Sequence, residues 1–295
     1  MFRKNLKKHP PPIGYCQIYD LPLLVKYKNQ HPMKKFKFLN LVLIFFLISC
    51  GTVPFSGRKQ FTMIPASQMI SLANDNYAQV LRENELSDNQ QYIDQVRRVG
   101  DRISSAVEEY FRKEGMEQQL QGYQWEFNVI QSDEMNAWCM PGGKIAFYEG
   151  IMPICQDDNG VAVVMAHEIA HAVARHGNER MSQQLSVQLG GMVLSEALEK
   201  EEEKTRNLAM AAFGLGAQVG YLLPYSRTHE SEADELGLYF MAMANYDPRG
   251  APEFWKRMNS EAGARPPEFL STHPHPENRI KNMEEHMQKA LEYYE

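Results

Sequence analysis

His167-Glu168-Ile169-Ala170-His171, set within Gly160 to His176 as GVAVVMAHEIAHAVARH, is the stretch that decides how this 295-residue chain is built. On an α-helix, two histidines four positions apart lie roughly 40° apart on one face, so their ring nitrogens converge on a single cation. Glu168 points to the side of that face, poorly placed as a third ligand but close enough to take a proton from water activated by the metal. The flanks agree with a helix. Asp157, Asp158 and Asn159 offer N-terminal caps, good helix formers follow, and Gly177 is the expected stop. The pentapeptide alone also fits a buried helix whose histidines bond within a core, so residues elsewhere must decide between the two.

A catalytic zinc site takes three protein ligands and leaves the fourth position to water or substrate. The extended motif H-E-x-x-H-x-x-G-x-x-H fails, because Ala174 and Gly177 stand where it needs glycine and histidine. His176 misses that pattern by one residue and reads as a cap near the helix end. A second helix offers a better partner in Arg227 to Phe240, RTHESEADELGLYF. Glu230 and Asp234 share a face there, so Glu230 could bind the metal while Asp234 orients a ligating histidine through its other ring nitrogen. Glu232 falls on the far side and is the weaker candidate. Taken alone, the same run also reads as acidic residues favoured by the helix dipole.

Upstream of the motif, residues 123–130 (YQWEFNVI) alternate as a strand does, and residues 144–148 (KIAFY) form a second strand. Met140-Pro141-Gly142-Gly143 supplies turn chemistry between them, which predicts a small antiparallel sheet beside the metal helix. Asn136, Gly142, Gly143 and Lys144 are candidate substrate-edge residues, since a strand edge holds an extended peptide by backbone hydrogen bonds. The alternative is a structural hairpin with no ligand. Helices are expected over 67–82 and 88–112, then over 179–200, 227–244, 249–262 and 276–293. Leu208 to Leu223, after a solvated charge run from Glu199 to Lys204, is nearly uncharged and reads as a buried helix or a mobile segment near the cleft; it is short for a membrane span, and the core reading is preferred. Cys139 and Cys155 leave a disulfide open and are too few for a zinc–thiolate cluster.

The composition, 43% hydrophobic and 23% charged, is that of a globular protein. A net charge of -6 and the lack of a basic patch interleaved with aromatics exclude nucleic-acid binding. Met33 to Cys50, MKKFKFLNLVLIFFLISC, has the charged, apolar and small-residue parts of a secretion signal and is short for a permanent membrane span. It resembles a bacterial lipoprotein signal, with Leu47-Ile48-Ser49-Cys50 as lipobox. The expected organisation is a non-native or disordered leader over 1–32, with Met33 the true start, and a signal over 33–49. A tether over 50–66 then leaves a lipidated Cys50, and a peptidase domain occupies 67–295. A transmembrane anchor is the alternative, and either version exports the rest of the chain.

Four ordered motifs, NAWCMPGGKI, HEIAH, ESEAD and THPHPENRI, together resemble the zinc metallopeptidase family that includes the CAAX prenyl proteases, HtpX, the mitochondrial protease Oma and the periplasmic BepA. The resemblance implies an α+β, mostly helical fold of the gluzincin type, with a small antiparallel sheet beside the HExxH helix. It implies one Zn2+ per chain on His167, His171 and Glu230, with Asp234 behind a ligand and Glu168 as general base. His273 and Arg279 are implied near the metal as stabilisers of the oxyanion. In BepA-like members the histidine instead fills the open site and keeps the enzyme latent, and His275 competes for that assignment. The implied substrates are unfolded or misassembled envelope proteins, met by an exported, lipid-anchored enzyme on the periplasmic face of the outer membrane, to which Gly51 after Cys50 is suited. The chain lacks the multiple apolar spans of HtpX and the helical repeats of BepA, which implies a stand-alone protease domain. The rival reading is a non-catalytic, chaperone-like lipoprotein in outer-membrane assembly, against which an intact Glu168 argues. Hydrolysis of a non-peptide amide or ester is a third.

Overall fold

The computed structural model describes residues 50–261, 268–273 and 279–295; the expected leader over 1–32 and signal over 33–49 lie outside them. The first described elements are a hairpin of β1 (Cys50–Thr52) and β2 (Lys59–Phe61), paired antiparallel with Cys50 opposite Phe61. Residues 50–66, expected as an extended tether, are therefore part of the folded body. Val53 is buried and the Phe55 ring stacks on Tyr110 at 4.5 Å, so two apolar side chains between Thr52 and Lys59 gain core partners that a tether would forgo.

Helices α1 (Ala66–Glu83) and α2 (Gln90–Lys113) follow. Asn89 caps α2 by accepting a hydrogen bond from the Tyr92 amide, and Val96, Val99, Ile103, Val107 and Phe111 form its buried stripe at three- and four-residue spacing. A three-stranded sheet comes next, in the order β3 (Glu126–Ile130), β5 (Lys144–Tyr148), β4 (Ala137–Met140). The antiparallel hairpin is present, but its first arm is β4. The segment expected to fill that place, β3, lies on the other side of β5 and pairs with it in parallel. All five residues of β5 are buried, as befits a strand with neighbours on both sides. Gly142 and Gly143 make the turn at φ 89° and 83°, and a Cβ on Gly143 would stand 2.7 Å from the Trp125 ring.

One turn of helix, α3 (Met152–Cys155), leads to α4 (Asp158–Val173), which carries the HEIAH motif. Asp157 caps α4 through the Gly160 amide at 2.9 Å, and nearly every residue of the helix is buried. The helix stops before Gly177: Arg175 takes the left-handed conformation at φ 57°, and α5 (His176–Ala197) starts at once. Helix α6 (Glu203–Ala217) continues through a single π turn over residues 218–222 into α7 (Leu223–Met243), which carries ESEAD. Helices α4 and α7 pack so closely that a Cβ on Gly237 would come within 3.2 Å of the His167 backbone nitrogen. Helices α8 (Gly250–Ser260), α9 (Glu268–Thr272) and α10 (Arg279–Ala290) complete the described chain.

The stretch from Leu208 to Leu223 is not the core helix that its composition suggested. No residue of α6 is buried; Leu208 is 71% exposed, and Met192 on α5 is 69% exposed. Gly190 and Gly191 on α5 seat the Phe213 ring of α6, so the two helices form an apolar arm. The continuous helix Glu203–Met243 is long and apolar enough to cross a membrane by length and composition, and its apolar window is unburied. An uncharged sequence specifies an apolar neighbour without saying whether that neighbour is the protein's own core. Cys139 and Cys155 are both free thiols, which closes the disulfide question.

Candidate metal centre

Helix α4 contributes His167 and His171, whose Nε2 atoms face each other at 3.1 Å. Helix α7 contributes Glu230, with Oε2 at 3.4 Å from His167 Nε2 and Oε1 at 3.4 Å from His171 Nε2. His273, which directly follows α9, adds Nδ1 at 3.2 Å from both His167 Nε2 and Glu230 Oε2. The four residues thus present one ligand atom each within 4.8 Å of one another. A tetrahedron with metal–nitrogen bonds of about 2.0–2.1 Å has edges of about 3.3–3.4 Å. The observed separations match those edges.

The outer atoms of the rings explain why lone pairs converge. His167 Nδ1 lies 3.0 Å from Asp234 Oδ1, and a proton held there frees Nε2 to face inward. Asp234 also accepts a hydrogen bond from Arg279, a fully buried guanidinium lying 3.4 Å over the Trp255 ring. His171 Nδ1 lies 2.9 Å from His176 Nδ1. Between the inward atoms of His167, His171 and Glu230 no proton donor is needed, and among the described residues Glu230 Oε1 is buried without a hydrogen-bond partner. Such an orphan carboxylate oxygen is costly unless a cation satisfies it. The donor set, imidazole nitrogens and a carboxylate, is one that zinc accepts.

Charge follows the same arrangement. Burial opposes a proton on His167, but its hydrogen bonds to Asp234 and Glu230 outweigh that and raise its pKa to about 9, so a cation bound between these groups takes the place of the Nε2 proton. Burial drives His171 well below the ordinary histidine range. Burial would raise Glu230, yet the facing rings of His273 and His171 hold it well below the usual carboxylate range. Burial raises Glu168, the direction that suits a carboxylate meant to carry a proton for part of a cycle. Its Oε1 lies 3.3 Å from His273 Nε2, and the Cys139 backbone is hydrogen-bonded to the same carboxylate.

The structure therefore brings together His167, Glu168, His171, Glu230, Asp234, His273 and Arg279. His275 lies outside the described residues. The four expected substrate-edge residues each make hydrogen bonds within the protein. Asn136 accepts from the Ala137 and Tyr148 amides, the Gly142 and Gly143 carbonyls accept from Gln124 and Glu126, and Lys144 donates to the Gln124 carbonyl and Glu126. The sheet's outer strand next to α4 is β4, whose Cys139 backbone is hydrogen-bonded to Glu168. A backbone position is invisible to a reading that looks for polar side chains.

Missed too was the layer behind His171. His176 is no cap: its Nε2 lies 2.9 Å from Glu232, while Glu179 lies 2.9 Å from His229, and Arg58 pairs with Glu179 at 2.7 Å and with Glu232 at 3.0 Å. The four acidic and histidine side chains are buried. The break at Arg175 turns His176 back toward His171, which simple helical spacing does not foresee.

A model of the M48 peptidase family matches residues 98–287, a span that holds His167, Glu168, His171, Glu230, Asp234, His273 and Arg279. The chain belongs to peptidase family M48. It is 30% identical to the mitochondrial metalloendopeptidase OMA1 of Schizosaccharomyces pombe over 84% of this chain and 69% of that one. The Saccharomyces cerevisiae protein of the same name is 30% identical over 85% and 73%. The β-barrel assembly-enhancing protease of Escherichia coli is 31% identical over 52% of this chain and 32% of its own length. As an M48 member the chain is a metalloendopeptidase, and the M48 cofactor is zinc.

Proposed function

We propose that this M48 peptidase is an exported, lipid-anchored endopeptidase that cuts unfolded or misassembled proteins of a bacterial cell envelope, on the periplasmic face of the outer membrane. One Zn2+ would be held by His167, His171 and Glu230. When bound, zinc supplies Lewis acidity for the scissile carbonyl and makes water acidic enough to be deprotonated near neutral pH. Glu168 takes that proton and returns it to the leaving amine. Asp234 fixes the His167 tautomer, and Arg279 neutralises Asp234. The Cys139 backbone, on the outer strand beside Glu168, is where an extended substrate would run, which makes recognition largely independent of side-chain identity.

The observation that carries this reading is the convergence of His167, His171 and Glu230 with Glu168 alongside. A pure binding module has no use for the last. His273 takes the remaining tetrahedral corner and also touches Glu168, so it holds the enzyme latent in this arrangement and must swing out before water and substrate enter. Export and anchoring are supported by the signal-like run ending at Cys50, and an apolar target by the exposed α5–α6 arm. Zinc content and casein cleavage, measured on the chain from Cys50 and on Glu168→Gln, test the mechanism. Full cleavage by a zinc-loaded Glu168→Gln would overturn it.

A further inference from the structure

The two ligand histidines of α4 are supported differently. His167 has a carboxylate directly behind it, as zinc-bound histidines commonly do. Among the described residues, His171 has no carboxylate at its Nδ1. It has a second imidazole, His176, and beyond that Glu232, whose Oε2 also takes Arg58 Nη2 at 3.0 Å and Nε at 3.2 Å while Ser56 bonds its Oε1.

We propose that His176, Glu232 and Arg58 are positioning residues that set the tautomer and ring orientation of His171, making the β1–β2 hairpin an integral part of the metal centre. The inference rests on the zinc reading above. The protons can be placed in one consistent way. For Nε2 of His171 to offer a lone pair to the metal, its proton must sit on Nδ1, where it is donated to Nδ1 of His176. That atom must then be unprotonated, so the His176 proton sits on Nε2 and is donated to Glu232 Oε2. Glu232 must be ionised, and Arg58 is the cation that makes this affordable in a buried place. Arg58 also binds Glu179 through Nη1 at 3.0 Å and Nη2 at 2.7 Å, and Glu179 receives His229, the residue before the ligand Glu230. One guanidinium thus grips both α5 and α7 from the far side of the metal. The His176 and His229 rings stack at 4.4 Å and leave little freedom for the relay to adopt another geometry.

Zinc affinity is the direct readout, measured by competition with a chromophoric chelator on the chain from Cys50. Outer partners of zinc ligands typically contribute 10–100-fold in affinity, so His176→Ala and Arg58→Ala should each weaken zinc by that factor. Glu232→Gln, which still accepts a hydrogen bond, should weaken it less than Glu232→Ala. Wild-type affinity in folded His176→Ala would overturn the proposal while leaving the zinc site standing. A wild type that binds no zinc would instead remove the reading beneath it. If the variants fail to fold, 15N spectra of the histidine rings in the zinc-loaded wild type decide the question. The expected result is His171 protonated at Nδ1 and His176 at Nε2, and a His176 ring protonated at Nδ1 would overturn the proposal.

Discussion

The ring of His273 bridges the ligand cluster and Glu168, with Nδ1 at 3.2 Å from His167 Nε2 and Nε2 at 3.3 Å from Glu168 Oε1. Water cannot stand between base and metal while that ring is there. His273→Ala should therefore raise casein cleavage, by about tenfold if the open arrangement holds a tenth of the molecules. A fall in kcat with zinc still bound would assign the ring to oxyanion stabilisation instead.

Glu168→Gln keeps the shape of the site and removes the proton acceptor. A loss of about 10²–10⁴-fold in kcat is expected, with zinc stoichiometry unchanged by metal analysis.

Gly237 faces the His167 backbone, where a Cβ would be 3.2 Å from nitrogen. Gly237→Ala forces α7 off α4, at a cost of about 1–3 kcal/mol. A lower thermal midpoint together with weaker zinc binding is expected, because His167 and Glu230 sit on the two helices being separated.

Glu179 gives a pH signature away from the metal. Burial alone would raise its pKa, but His229 and Arg58 hold it far below the ordinary value of 4.5. A depressed folded pKa contributes stability that is complete above about 4.5 and is lost as the pH falls toward the folded value. Glu179→Gln should cost roughly 1–3 kcal/mol at neutral pH, since Arg58 loses one of its two carboxylate partners and keeps Glu232. Urea denaturation should show that gap narrowing steadily as the pH falls below about 4.5.

Helical spacing put His167 with His171, and Glu230 with Asp234, on shared helix faces, but the acidic run alone read equally as a helix-dipole effect, and only the four-motif resemblance singled out Glu230 as the third ligand. The helices over 66–83 and 90–113 announced themselves by a periodic apolar stripe. What stayed hidden depends on tertiary choices. Strand β4, Ala137–Met140, has no alternation of its own and exists because β5 needs a second neighbour. His176 was misread because a non-glycine residue, Arg175, takes the left-handed conformation that the sequence seemed to reserve for Gly177. Arg58 lay in a segment whose proline and glycine suggested a linker, while its partners came from two distant helices.

The pairing of α4 with α7 has a consequence for the arm between them. The two halves of the metal centre lie on opposite sides of the Glu199–Lys204 connection in the chain, yet they are joined by a packed helix pair and by shared ligands, not by the arm's covalent path. A protease that nicks this charged tip should therefore yield a two-chain enzyme. Its fragments would co-elute on gel filtration with zinc present and separate only once the ion is chelated and the core unfolded.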